Sequence, residues 1–176
     1  MKRIEVRIYS ENEELPHLLE GNFFHSLELF QIGEKVPSDT PIMAVATQEG
    51  RVVGQMLAVI HRRHILIPPF IYTHAHVHGE GVYLDEETAE ATFPTLLHAM
   101  TRELARRHTL YIEFSEIQKK MFGYRHFRRT GYYPIAWQEV YNSLHSKTPE
   151  ERLTDKAKMQ IEAAEKKGLK CHSTSD

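Results

Sequence analysis

The sequence predicts an α/β fold in which a central sheet is covered by helices on both faces, and three observations carry that prediction. Val52 to Ile60 is apolar at nearly every position, the pattern of a strand buried on both sides. Phe93, Leu96, Leu97, Met100 and Leu104 recur at i, i+3, i+4, i+7 and i+11, which gives a long amphipathic helix. Leu110 to Ile135 reads as a complete unit of strand, helix, glycine-aromatic turn and strand.

Bulk properties bound the function. At 176 residues the chain holds one core, or one domain with an appendage. Its 41% hydrophobic and 26% charged residues are those of a globular protein rather than a disordered or fibrous one. A net charge of −2 sets up no basic field for nucleic acid, although 12 histidines move the balance as they titrate. The single cysteine, Cys171, excludes an internal disulfide framework and a multi-cysteine zinc site. The N-terminal MKRIEVRIYSENEEL lacks the apolar segment of a signal peptide, and the apolar run from Ile65 to Ile71 is broken by Pro68 and Pro69. A cytoplasmic protein is expected.

Along the chain, Ile4, Val6 and Ile8 alternate with Glu5, Arg7 and Tyr9 in a first strand. Ser10 with Glu11, Glu13 and Glu14 signals a helix start that Pro16 cuts short. A second helix, capped by Asn22 or Ser26, carries Leu27, Leu29, Phe30 and Ile32 and ends at Gly33 and Pro37, with Phe23 and Phe24 as core anchors ahead of it. Ile42–Ala46 and Val52–Ile60 form a hairpin across Gln48, Glu49 and Gly50. Residues 62–70 read as a connecting loop and Ile71–His78 as a fourth strand. Gly79 and Gly81 turn the chain, Asp85 caps the long helix, and Pro94 places its regular part from near Thr92 to Arg106 or Arg107. In the next unit Leu110, Ile112 and Phe114 form a strand, and Met121, Tyr124 and Phe127 give the helix its packed side. Gly131 supplies the C-cap, and Tyr132, Tyr133 and Ile135 open the next extended run. A further strand follows from Trp137 to Leu144. Then Thr148, Pro149 and Glu151 make a capping box for one helix along Leu153, Ala157, Ile161 and Ala164, closed by Gly168 before a strand at Leu169–His172.

Chemistry concentrates on the fourth strand and the one after the long helix. Tyr72, His74, His76 and His78 share one strand face, opposite Ile71, Thr73, Ala75 and Val77. Two of the histidines are close enough to share a metal, but no cysteine or carboxylate pair completes a four-ligand set, so a groove-lining face is preferred and no metal is assigned. Glu113, Ser115 and Glu116 end a central strand, where ligands of open α/β sheets gather, and a carboxylate there suits holding or deprotonating an amine. The clusters His61, Arg62, Arg63, His64 and Arg125, His126, Arg128, Arg129 suit phosphate or carboxylate, with solvated charge the plainer alternative. No GxxxxGK[ST], GxSxG or HExxH motif is present.

The element order, together with FGYRHFRRTGYYPI, resembles the GNAT acyltransferase fold, with a mixed, mostly antiparallel sheet. FFHS, RVVGQMLAVI, LYIEF and SKTPEERLTDKAKMQIEAAEKKGLKC are similar to the first half of the Fem family of peptidoglycan bridge-forming aminoacyltransferases, which resemble two GNAT-like domains in tandem. That resemblance implies a GNAT-like domain over residues 1–146 and a C-terminal helix and strand start over 147–176 that lead to a second such domain. It further implies an acceptor-binding role toward a small molecule or peptide with a free amine, such as a cell-wall peptide precursor. Acetyl-coenzyme A or aminoacyl-tRNA would be the donor, with tRNA engaged only through the second domain. Lys35 falls near the family's phosphate-contacting lysine, and Ser115 and Glu116 occupy the place of an acidic residue. With Tyr72, His74, His76, Tyr124 and Arg125 they are the candidate groove residues. Where GNAT acetyltransferases carry an [RQ]xxGx[GA] pyrophosphate loop, this chain reads HGEGVYLDEET. Two other expectations stay open: a complete acetyltransferase, which requires a cleft between the strands at Ile71–His78 and Leu110–Glu116, and a non-catalytic interaction module.

Overall fold

The computed structural model describes residues 3–10, 15–64, 71–115, 123–135 and 148–170. The chain divides into two compact units, Met1–Pro134 and Ile135–Asp176.

The first unit is built on a six-stranded sheet of order β1-β2-β3-β4-β6, with β5 paired to β3 beside that path. Strands β1 (Ile4–Tyr9), β2 (Asp39–Gln48), β3 (Arg51–His64) and β4 (Ile71–His78) pair antiparallel, while β6 (Tyr111–Ser115) pairs parallel to β4. A parallel pair needs a long crossover, and α2 (Glu86–Arg106) supplies it after the short β5 (Val82–Tyr83). The β2–β3 hairpin closes through Glu49 and Gly50 at φ 51° and 77°, the left-handed pair that a two-residue turn of this twist requires. At Ala46/Thr47 the register slips by one, which leaves Val53 without a register partner on β2 and turns it into the core on the α2 side.

Strands β1, β2 and β3 contribute residues to two cores, β4 and β6 to one. On one face Ile42, Ala44, Met56, Ala58, Ala75 and Val77 meet Phe93, Leu96, Leu97, Met100 and Leu104 of α2. On the other, Tyr9, Met43, Val45 and Leu57 meet Phe30 of α1 (Leu27–Lys35). Ser26 caps α1 by accepting from Leu29 N–H. Gly33 does not end that helix. It lies inside it, because the backbone seats on Pro41 of β2, whose Cβ lies 3.2 Å from where a side chain would begin.

Other departures from expectation have local causes. The long helix starts at Glu86 and runs through Pro94, since Asp85 accepts from Thr88 N–H at its start and the residue that loses the proline's bond, Glu90, is solvent-exposed. It ends with His108 at φ 57° in a C-terminal motif that Thr109 N–H closes on Leu104 C=O. Arg62, Arg63 and His64 belong to β3 rather than to a loop, because β4 pairs with them. Phe23, in a 3₁₀ turn over Phe23–His25, is 52% exposed and so no core anchor, whereas Phe24 stacks on His78. The last helix of this unit, α3 (Tyr124–Arg129), buries Phe127 against Phe93 and Phe114 and ends at Gly131, φ 96°, with Tyr132 N–H bonded to Phe127 C=O.

In the second unit the capping box forms: Glu151 accepts from Thr148 N–H, and Thr148 Oγ1 from Glu151 N–H. It begins only α4 (Pro149–Arg152), and a second cap, Thr154, starts α5 (Asp155–Lys166), so two helices stand where one was expected. No helix among the described residues is long and apolar enough to cross a membrane. The helix start at 11–14, the strand at 137–144, and residues 65–70, Glu116 and Met121 lie outside the described residues. Leu169 and Lys170 are in no strand, and 171–172 also lie outside.

Candidate functional site

The sheet face that carries α1 is divided. Its β1–β2 half is apolar and packs under the helix, whereas the half formed by the end of β3, β4 and β6 presents His61, Tyr72, His74, His76, His78, Tyr111, Glu113 and Ser115. Register fixes this row: His61 opposes His74, His74 opposes Tyr111, His76 opposes Glu113 and His78 opposes Ser115. Where the two halves meet, a groove of about 130 Å³ is lined by Leu29, Ile32 and Gly33 of α1, by Val59, and by Asp39, His61, His76 and His78.

Contacts of Asp39, Ser115 and the neighbouring rings organise this polar half of the face. His61 Nδ1 lies 2.8 Å from Asp39 Oδ1, which the hydroxyl of Ser38 also reaches. Ser115 Oγ lies 2.6 Å from His76 Nε2 and 3.3 Å from His78 Nδ1. The rings of His76 and His78 are 3.9 Å apart, and His74 stacks on Tyr111. Partial burial above all lowers the pKa of His74, His76 and His78, with neighbouring imidazoles adding to the effect and the Glu113 carboxylate opposing it on all three. At neutral pH these rings are therefore uncharged and able to accept a proton.

Of the sequence candidates, the structure brings His76 and Ser115 into contact and sets Tyr72 and His74 along the same face. Lys35 is exposed on the last turn of α1. Tyr124 and Arg125 do not border this face: α3 packs through Phe127 on Phe114, which points opposite to Glu113 and Ser115. Glu116 lies outside the described residues. Asp39 was not visible in sequence as a site residue, since only the pairing of Asp39 with His61 brings it there. His78 carried a signal, the same strand parity as His74 and His76. No cluster of three or more His, Cys, Asp or Glu suited to a metal occurs among the described residues.

The segment where the GNAT resemblance would place the coenzyme A pyrophosphate reads HGEGVYLDEET and lacks that loop's arginine and glycine spacing. Several of its amides are engaged within the chain: Gly79 N–H with Ser115 C=O, Leu84 N–H with Val53 C=O and Thr88 N–H with the Asp85 carboxylate. Asp85, Glu86 and Glu87 also put negative charge at the helix start. The cleft required between the two strands is closed as well, because β4 and β6 stay paired from His74–Tyr111 to His78–Ser115.

No protein-family model matches the sequence, and no curated protein matches it. Among solved structures the chain is similar to an acetyltransferase from Trypanosoma brucei, at 12% identity and a TM-score of 0.50 over 80% of this chain and 100% of that one. It is also similar to a ribosomal-protein-alanine N-acetyltransferase from Brucella melitensis, at 8% identity and 0.46 over 80% and 99%. An aminoglycoside acetyltransferase from an uncultured soil metagenomic sample matches at 11% and 0.47 over 82% and 97%. At such identities the likeness is one of architecture, and with its mostly antiparallel sheet closed by a parallel strand the chain has the GNAT fold.

Proposed function

We propose that this chain binds the amine acceptor of an acyl- or aminoacyltransferase, in the Fem-like role of a first domain whose residues 147–176 connect to a second. The observation that carries this reading is the two-sided groove. Leu29, Ile32 and Val59 offer an apolar lining for a methylene stem, and Asp39, His61, His76 and His78 a polar one for its terminus. An ammonium group entering there meets the Asp39 carboxylate and has Glu113 on the neighbouring strand. It then has uncharged imidazoles that can take its proton, and only the neutral amine attacks an acyl carbon. About 130 Å³ accommodates such a terminus, not a nucleotide. The acceptor class is thus a primary amine on an aliphatic stem, as in a lysine-type side chain of a peptide precursor.

Calorimetry with a lysine peptide and its Nε-acetylated twin tests this. The free amine is expected to bind at least about tenfold more tightly, and Asp39→Asn to remove most of that difference. Equal or absent binding of both peptides overturns the reading. Acetyl-coenzyme A, in the same calorimeter, is expected to give no saturable heat. A saturable isotherm would instead establish a complete acetyltransferase.

A further inference from the structure

We propose that Ser115 is a nucleophile, activated by His76, that carries the acyl group as an ester before the amine receives it. This rests on reading the groove as a site of acyl transfer, and it goes further: the chain then performs a chemical step rather than only holding the acceptor. The hydroxyl ends β6 beside the end of β4, with one imidazole nitrogen at 2.6 Å and a second at 3.3 Å. A serine that merely completes a strand end needs one partner. This one lies between two, His76 and His78, both of which line the groove. With the His76 proton on Nδ1, Ser115 Oγ–H donates to His76 Nε2, and with His78 protonated on Nδ1 its N–H donates to Ser115 Oγ. That is the nucleophile–base geometry of acyl-transfer sites, with a second donor next to the oxygen that attacks.

The step balances with an activated oxyester or thioester as donor. Ser115 Oγ bonds to the acyl carbon as its proton passes to His76 Nε2. The bond from that carbon to the leaving oxygen or sulfur breaks, and the leaving group takes the proton from His76. The amine nitrogen then attacks the ester carbon and gives a proton to His76, and the C–Oγ bond breaks as Oγ recovers it. Groups facing His76 are His74 and His78 on β4, Glu113 on β6 and His61 on β3.

The probe is p-nitrophenyl acetate, with intact-protein mass spectrometry and peptide mapping. A stoichiometric burst of nitrophenolate and a single acetyl on Ser115, removable by hydroxylamine, are expected. Ser115→Ala should give neither, and Ser115→Cys should restore the burst through a thioester. His76→Gln should slow acylation about 100-fold and abolish its rise with pH on the acid side of neutrality. An acetyl mapped to a lysine or histidine, or an unchanged burst in Ser115→Ala, overturns the proposal. The two readings separate cleanly. An acetyl-Ser115 that forms while the lysine peptide fails to bind sustains the nucleophile and removes the acceptor assignment. Lysine acylation that proceeds equally well in Ser115→Ala does the reverse.

Discussion

Acidification from neutrality to about pH 4 is expected to remove roughly 3 kcal/mol of folding stability through one side chain, His25. The ring is fully buried, its Nδ1 accepts from Leu57 N–H at 3.0 Å, and its Nε2 faces Gly81 N–H at 3.2 Å. A neutral imidazole accepts at one nitrogen only, and the shorter contact, to Leu57, is the one retained, which leaves Nε2–H for the His78 carbonyl. A second proton would sit on Nδ1 against the Leu57 amide, in a fully buried site. Burial above all, with the charge of His78 adding to it, lowers the pKa from 6.5 to about 4, while the bond to the His78 backbone opposes the shift. Between those values the unfolded chain binds more protons than the folded one. The contribution is therefore complete above 6.5 and is lost as pH falls through about 4. The lowered His74, His76 and His78 act in the same direction. Urea unfolding followed by circular dichroism across this range should show the loss, and His25→Gln, less stable at pH 7, should give a distinctly flatter curve. Parallel curves for the two proteins would rule the explanation out.

Gly123→Ala is expected to cost about 3 kcal/mol, at the upper end of overpacking penalties. Its backbone is not left-handed, so the reason is space alone: a Cβ there would lie 2.1 Å from Phe93 Cε1 and 2.8 Å from Glu80 Oε1. Neither can yield cheaply. Phe93 is fully buried against Phe127, and Glu80, also buried, accepts from Gly123 N–H. Thermal unfolding should show a large drop in Tm, and Phe93→Leu should recover part of it in the double variant while destabilising the parent. Strict additivity of the two substitutions would show that the clash is not the cause.

The fold was legible in the sequence wherever it depends on periodicity. The hairpin, β4 and the stripe of α2 need only local alternation, and they stand as read. The unexpected features come from tertiary partners that no window contains. Gly33 stays helical because Pro41 is beneath it, β3 extends to His64 because β4 pairs there, and Val82–Tyr83 become a strand because Gly54 and Gln55 accept them. The site divides in the same way. The row Tyr72, His74, His76, His78 is parity along one strand and was visible. Its contact with Ser115 depends on a parallel register across a 21-residue helix, and the pairing of Asp39 with His61 on a hairpin closed at Glu49–Gly50. The placement of Tyr124 and Arg125 on α3 depends on what Phe127 packs against, which no local window contains.

Gly33 has a consequence for how such a groove can diversify. It lines the groove on one side and touches Pro41 on the other, so it acts as a shim between helix and sheet. An alanine there would press on Pro41 at 3.2 Å and lift α1 by a few tenths of an ångström, carrying Leu29 and Ile32 away from the histidine wall. If the groove holds an acceptor stem as proposed, its size is adjustable at a position apart from Ser115, and the histidine row of β4 can stay constant while the stem it admits changes.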